Sequence, residues 1–329
     1  MDDSQDPSAI FDPPSSLLVR RAVIDIGTNS VKLLVADVSS GEVTPIVEES
    51  KQTRLGRGFY ATHLLQAEPI ANTAEAVRKF VAQATASGAS QFRVIATSAA
   101  RDALNAADLL DAVRARSGLP VEIVSGEQEA DWVFRGVAGD RRFTGLRLLI
   151  LDVGGGSTEF ILGTENQQDF RNSFPIGTVR LLEQFQPGDP PGSAALERCR
   201  SWLKDFLETR ISPELKLRIK SSGQPVQLVG TGGTTTILAR MEHHLPGFDR
   251  QQIEGARLSL AQLREHVERH WSLTIEDRRK IVGLPPKRAD VVLMGLAIYE
   301  AVMQAFDFDD LQISTRGLRY AAVAEMAAG

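Results

Sequence analysis

Asp25-Ile-Gly-Thr-Asn-Ser30 and Asp152-Val-Gly-Gly-Gly-Ser157 superpose aspartate on aspartate, glycine on glycine and serine on serine, at an offset of 127 residues. Each hexapeptide leaves one apolar run and enters another: residues 21–26 and 31–38 flank the first, residues 148–153 and 158–163 the second. Short apolar runs joined by glycine and small hydroxyl residues read as strand, tight turn and strand. The repeated context marks an internal duplication. The chain is read as two related α/β units, each opening with a glycine-turned hairpin.

Outward from the hairpins, sheet and helix alternate. A third strand is expected over residues 43–48. Pro69 marks a helix start, and Ile70, Ala74, Val77, Phe80, Val81 and Ala84 keep a helical period until Gly88. A strand at 92–96, a helix at 104–115 and a strand at 121–124 follow. The second unit continues with a helix at 194–208, a strand at 226–229 and the loop Gly230-Thr-Gly-Gly-Thr234. Helices at 260–271, 275–282 and 289–305, a strand at 311–314 and a last helix from Gly317 complete it. The expected division is a disordered tail over residues 1–18, a first domain of 19–125 with 316–329, and a second domain of 126–315.

Composition narrows the function classes. The 329 residues suit about two domains of roughly 150 residues each. Hydrophobic residues at 43% and charged residues at 24% exclude disorder, collagen and coiled coil as the main class. One cysteine, Cys199, excludes an intrachain disulfide and a zinc-thiolate cluster. The net charge is −5, and four aspartates with no Lys or Arg lie in residues 1–19, so the body is close to neutral. That excludes a general nucleic-acid coat, which needs a basic face. The basic residues are 29 Arg and 8 Lys, a bias that suits phosphate recognition but is more simply a matter of codon usage. The most apolar stretch, residues 291–299, is far short of the roughly 20 needed to span a bilayer. The acidic, Pro/Ser-rich N-terminus is the opposite of a basic signal-peptide start. A soluble cytoplasmic protein with no membrane or nucleic-acid partner is expected.

The two glycine turns carry the chemistry. Without Cβ atoms, backbone N–H groups converge on an anion, and an aspartate ending the preceding strand can hold Mg²⁺ or its waters. The alternative is a pair of merely tight hairpins, which rarely need three consecutive glycines. No G-x-x-x-x-G-K-[ST] run exists, and Gly230-Thr-Gly-Gly-Thr-Thr235, with its Gly232 and Gly233, lacks the last glycine of a dinucleotide fingerprint. Glu129 and Glu159 are the candidate acid/base residues. Ser125-Gly-Glu-Gln128 matches a capping box that starts a helix near Gly126, and Ala130, Val133, Phe134 and Val137 form its apolar face. Glu129 borders that face, so burial would raise its pKa. Either glutamate alone reads more simply as a surface carboxylate. Lys51, Arg54 and Arg57 flank the Leu55-to-Gly58 turn and form either a basic rim for polyanions or a solvated loop. His266 and His270 are read as a solvated face.

The two hexapeptides, with Ala96-Thr97-Ser-Ala-Ala-Arg101, Ser125-Gly-Glu-Gln-Glu-Ala130, Thr158-Glu159, Gly230-Thr-Gly-Gly-Thr234 and Ser314-Thr-Arg-Gly-Leu-Arg319, resemble in order the motifs of the Ppx/GppA phosphatases. Gln128 departs from the acidic residue many members carry. The resemblance implies two duplicated actin-like (ribonuclease H-like) domains with an interdomain cleft, in the short two-domain form. It implies Glu129 as catalytic base with Glu159 as partner, and Asp152 and Glu159 as ligands of Mg²⁺, with Mn²⁺ as a substitute. Asp25, Gly27, Thr28, Asn29, Ser30, Thr97, Arg101, Gly154, Gly155, Gly156, Ser157, Gly230, Gly232 and Gly233 become the phosphate contacts. Arg101 is expected to reach into the cleft and fork onto substrate phosphates. The implied activity is exopolyphosphatase, acting on inorganic polyphosphate as a homodimer. The alternatives are guanosine pentaphosphate hydrolysis, an ATP-dependent kinase and a non-catalytic polyphosphate or nucleotide sensor.

Overall fold

The computed structural model describes residues 19–326 apart from residues 40, 166 and 222, so the expected tail lies outside the described residues. Two mixed sheets repeat one topology. The first has the order β3-β2-β1-β4-β5, built from β1 (Val19–Ile26), β2 (Ser30–Ser39), β3 (Glu42–Gln52), β4 (Gln91–Ala96) and β5 (Glu122–Ile123). The second runs β8-β7-β6-β9-β11-β10, from β6 (Arg147–Val153), β7 (Thr158–Thr164), β8 (Gln167–Phe174), β9 (Val226–Thr231), β10 (Arg257–Ser259) and β11 (Asp310–Ile313). In both, the opening strand pairs antiparallel with the next and parallel with a later one. The duplication read from the turns is therefore a duplication of sheets.

The apolar runs of β1 and β6 have a physical cause. Both strands are covered on both faces, and such strands read as nearly continuous hydrophobic sequence. Ala22, Ile24 and Ile26 enter the core of the first unit, while Val23 points the other way. Leu149, Leu151 and Val153 enter the core of the second unit, while Leu148 and Ile150 face Val23 in a shared core. Between the sheets lie helix Gly126–Ala138 and the last helix, Leu318–Glu325, which packs on it and on β1, β2 and β3. Ser125 caps the first of these by accepting the Gln128 N–H at 3.1 Å. Trp132 adds to its apolar face and donates Nε1–H to Glu325 at 2.9 Å.

Several elements differ from expectation. The helix expected over 104–115 runs from Ala106 to Ser117, and a short helix not expected, Ser98–Asp102, precedes it, the two separated where the chain is extended at Ala103. The helix near Pro69 begins earlier, at Ala67. Gly230-Thr-Gly-Gly-Thr234 is not a loop: β9 runs through Thr231 and helix Gly232–Glu242 starts at once. Residues 275–282 form only one helical turn, Ile275–Arg278, and the apolar helix starts at Val292. His270 is buried rather than solvated, its ring bonded to the His266 carbonyl at 2.6 Å.

The crossing of the two central helices turns on Gly136, where a Cβ would collide with the backbone of Gly317. Helix propensity alone predicts that Gly136→Ala stabilises by up to about 1 kcal/mol. The backbone contact reverses the sign, and overpacking of this kind costs about 1–3 kcal/mol. Denaturant unfolding of Gly136→Ala is expected to show a lower midpoint than the parent.

Candidate active site

The same ends of β1 and β6 meet across the two halves. Asp25 sits opposite Lys32 in the β1–β2 register, and Asp152 opposite Glu159 in β6–β7. Lys32 and Glu159 stand at the same offset of 127 as the turns, so the duplication puts a cation in one half where the other carries a carboxylate. The turns themselves are built alike: Gly27 N–H donates to the Ser30 carbonyl and Gly154 N–H to the Ser157 carbonyl, both at 3.0 Å. Protein donors then occupy the turn carbonyls. Asn29 accepts from Thr53 and Arg54, Thr28 from Gly56, Gly154 from Thr178, and Gly155 from Val179 and Arg180. The turns pack against each other closely enough that a Cβ on Gly155 or Gly156 would strike Thr28.

Between the turns is a small pocket of about 60 Å³ lined by Asp25, Asp152, Glu129 and Glu159, all four 1–8% exposed. Glu129 Oε2 accepts from Arg101 at 3.0 Å, and Glu159 Oε1 accepts from Ser157 at 2.9 Å and Ser173 at 2.7 Å. Burial, reinforced by the charge of Glu159, pushes the Glu129 carboxyl well above the usual carboxylate range; Arg101 works against this. Burial and Asp152 push Glu159 up to about 7. Asp25 and Asp152 are raised as well, mainly by burial, with Lys32 and Arg319 opposing the shift in both. Asp25 Oδ1, Asn29 Nδ2 and Ser98 Oγ are buried there with no hydrogen-bond partner. Buried polar atoms are usually paired, and these three are groups that a bound anion or cation would satisfy.

Most of the expected residues converge. Gly27, Thr28, Asn29, Ser30, Thr97, Gly154, Gly155, Gly156, Ser157 and Gly233 line this pocket together with the four carboxylates. Two do not. Gly230 packs inside the fold, where a Cβ would meet Tyr299, Thr235 and Leu311. Arg101 lies behind Glu129 and holds that carboxylate and the Val124 carbonyl rather than reaching into the pocket. Gly232 is a left-handed position (φ +90°) whose missing Cβ leaves room for the Asp152 carboxylate. Residues not anticipated include Lys32, Ser98, Thr178 and Arg288, the last donating to Ser30 Oγ at 2.6 Å from the opposite half. Extending the overlay of the turns by two residues would have exposed Lys32; Arg288 has no local signal.

A larger cavity of about 690 Å³ adjoins the pocket, sharing Asp25, Lys32, Asp152 and Arg288 with it. On the other flank the halves are clasped. Glu183 accepts from the backbone N–H groups of Gly58 (2.6 Å) and Tyr60 (3.2 Å), and Arg180 lies 4.2 Å over the Tyr60 ring while donating to the Gly156 carbonyl at 2.9 Å.

This arrangement has known counterparts. The model of the Ppx/GppA phosphatase family matches residues 34–328. The chain belongs to the Ppx/GppA phosphatase family. It is 35% identical over 298 residues to exopolyphosphatase 2 of Mycobacterium tuberculosis, covering 86% of this chain and 89% of that protein. The Aquifex aeolicus family member matches with TM-score 0.75 and 30% identity over 94% of this chain and 98% of that one. A Cytophaga hutchinsonii exopolyphosphatase matches with TM-score 0.83 and 28% identity over 93% and 97%. The duplicated actin-like fold is thus that of the family.

If Arg101 serves Glu129, removing its charge raises the carboxyl further. Arg101→Gln is expected to move the acidic limb of the kcat/KM profile to higher pH by about one unit, the effect of one nearby opposite charge. A pH–rate profile with a phosphorylated substrate measures it; an unmoved limb with weaker substrate binding would return Arg101 to its expected role as an anchor.

Proposed function

We propose that the protein is an exopolyphosphatase that hydrolyses the terminal phosphoanhydride of inorganic polyphosphate, with Glu129 as the base. The observation that carries this reading is the position of Glu129: a buried carboxylate of raised pKa, on a capped helix, facing the pocket between two glycine turns. A base is most effective when its pKa lies near the working pH. The family and the exopolyphosphatase relatives place the chain among phosphoanhydride hydrolases.

In this reading the terminal phosphate sits between the turns, with Thr28, Asn29 and Ser30 on one side and Gly154, Gly155, Gly156 and Ser157 on the other. The unpaired Asn29 and Ser98 groups supply donors, and Lys32 and Arg288 supply charge. Glu129 orients a water for in-line attack and takes its proton. Phosphoryl transfer depends on positioning and charge stabilisation of this kind.

Mg²⁺ fits the donor set. Among the described residues no three of His, Cys, Asp and Glu converge on a metal position. Mg²⁺ does not need them, since it binds through one or two carboxylates plus substrate phosphates and keeps its waters. Asp152 and the unpaired Oδ1 of Asp25 are such carboxylates, a different pair from Asp152 and Glu159, because Glu159 is already tied by two serines. When bound, the ion draws negative charge from the phosphate oxygens. The large cavity favours guanosine pentaphosphate as a second reading: Phe248, Ile237 and Pro285 give it an apolar wall on which a base could lie.

Glu129→Gln is expected to lower kcat by roughly 10²–10⁴-fold while substrate binding persists. The test is phosphate release from polyphosphate and from guanosine pentaphosphate, side by side with Mg²⁺ and after chelation. Release from neither substrate, or undiminished turnover in Glu129→Gln, would overturn the reading.

A further inference from the structure

Arg288 reaches the first phosphate turn from a stretch of chain with little regular structure. Between the helical turn Ile275–Arg278 and helix Val292–Ala305 lies a single 3-10 turn, Pro286–Arg288. The start of this stretch is fixed within the second half. Arg278 is buried and donates to the carbonyls of His270 and Leu273, both at 3.1 Å. Gly283 packs on the backbone of Arg240 and Met241, where a Cβ would collide. Beyond Gly283 an anchor comes from the other half of the chain. The Arg54 guanidinium donates to the Lys287 carbonyl at 2.9 Å and pairs with Asp290 at 2.8 Å, so it holds the chain on both sides of Arg288.

Arg54 holds the phosphate turn as well. Its backbone is left-handed, φ 56°, a conformation that a non-glycine residue keeps only where its surroundings impose it. In that conformation its N–H donates to the Asn29 carbonyl at 3.0 Å, beside the N–H of Thr53 at 3.2 Å. One residue thus has its main chain on the turn of the first half and its side chain on the segment that brings Arg288 from the second. The contact also settles where charge goes. Asp290 Oδ1 accepts the Val291 N–H at 2.9 Å, and Oδ2 is taken by Arg54. Burial lowers the Arg288 guanidinium to about 10, against the pull of the nearby Asp290, so it remains a cation at neutral pH. With Asp290 engaged elsewhere, Arg288 makes no ion pair among the described residues; it donates to Ser30 Oγ and lines the pocket between the turns.

We infer that Arg54 is a positioning residue: its guanidinium fixes the stretch from Lys287 to Asp290 and occupies the Asp290 carboxylate, so that Arg288 stands at Ser30 with its charge free for phosphate. The inference rests on the exopolyphosphatase reading and adds to it the residue through which the first half places a cation of the second. The Arg54–Asp290 pair is partly exposed, and such pairs contribute little to stability. What it supplies is geometry. Phosphoryl transfer depends on the placement of charge, and a small displacement of a positioned group is costly in rate.

The test is a double-mutant cycle in the full chain: the parent, Arg54→Asn, Arg288→Gln and the two together. Asparagine accepts a left-handed backbone, so Arg54→Asn removes the guanidinium while leaving the N–H on Asn29. The readouts are kcat/KM for tripolyphosphate with Mg²⁺, calorimetric Kd for tripolyphosphate under chelation, and Tm. Arg54→Asn is expected to lower kcat/KM roughly ten- to hundred-fold in the parent, with Tm near the parent value. In the Arg288→Gln background the same change costs less than about two-fold, because a residue that acts through another has nothing left to place. Kd follows the same non-additive pattern. An equal loss in both backgrounds would overturn the inference, since Arg54 would then act independently of Arg288; so would parent-like kinetics of Arg54→Asn, or a loss matched by a fall in Tm. If the parent releases no phosphate, the exopolyphosphatase reading fails and the cycle in Kd decides the role of Arg54. A parent that does not bind tripolyphosphate overturns both.

Discussion

Four carboxylates crowd one small buried space, and much of the structure follows from holding them there. Asp25 and Asp152 end the opening strands of two duplicated sheets, and Glu129 and Glu159 flank them. Burial alone makes each reluctant to ionise, and mutual repulsion among them adds to it. Each therefore has a folded-state pKa above its ordinary value. The folded protein holds these protons more tightly than the unfolded chain, so the four groups cost stability at neutral pH and the cost falls as pH is lowered. Natural proteins keep such arrangements where function requires charge, and offset the cost elsewhere.

The offset is visible in the scaffold. Strands buried on both faces, three apolar cores and a central helix pair fix the two turns from behind. Lys32 and Arg319 ease the aspartates, Arg101 eases Glu129, and two serines ease Glu159. The unpaired Asp25, Asn29 and Ser98 atoms are what remains, and a metal-bound phosphate would satisfy both signs at once: anion for the donors, cation for the carboxylates.

Much of this was legible in the residues. The paired turns, the cap at Ser125 and the border position of Glu129 are local patterns with local physical causes. Register and packing are not local. A lone lysine on a strand reads as solvated; the overlay of the turns sets Lys32 on Glu159, and antiparallel pairing sets it against Asp25. Arg288 comes from the far half of the chain and meets Ser30 only through tertiary packing. Arg101 was readable as a phosphate ligand by type, but the direction of its side chain depends on where the Gly126–Ala138 helix docks. The third glycine run is not an open loop: Gly230 serves close packing and Gly232 makes room for the Asp152 carboxylate, while Gly233 lines the pocket as expected.

The carboxylates are held for the ligand at the expense of the fold. Asp25→Asn tests it directly, because the isostere removes a buried charge and little else. Thermal unfolding of the metal-free protein at neutral pH, paired with Mg²⁺-dependent phosphate release, is the measurement. The account predicts a higher Tm together with loss of turnover. A lower Tm with metal-dependent turnover retained would contradict it.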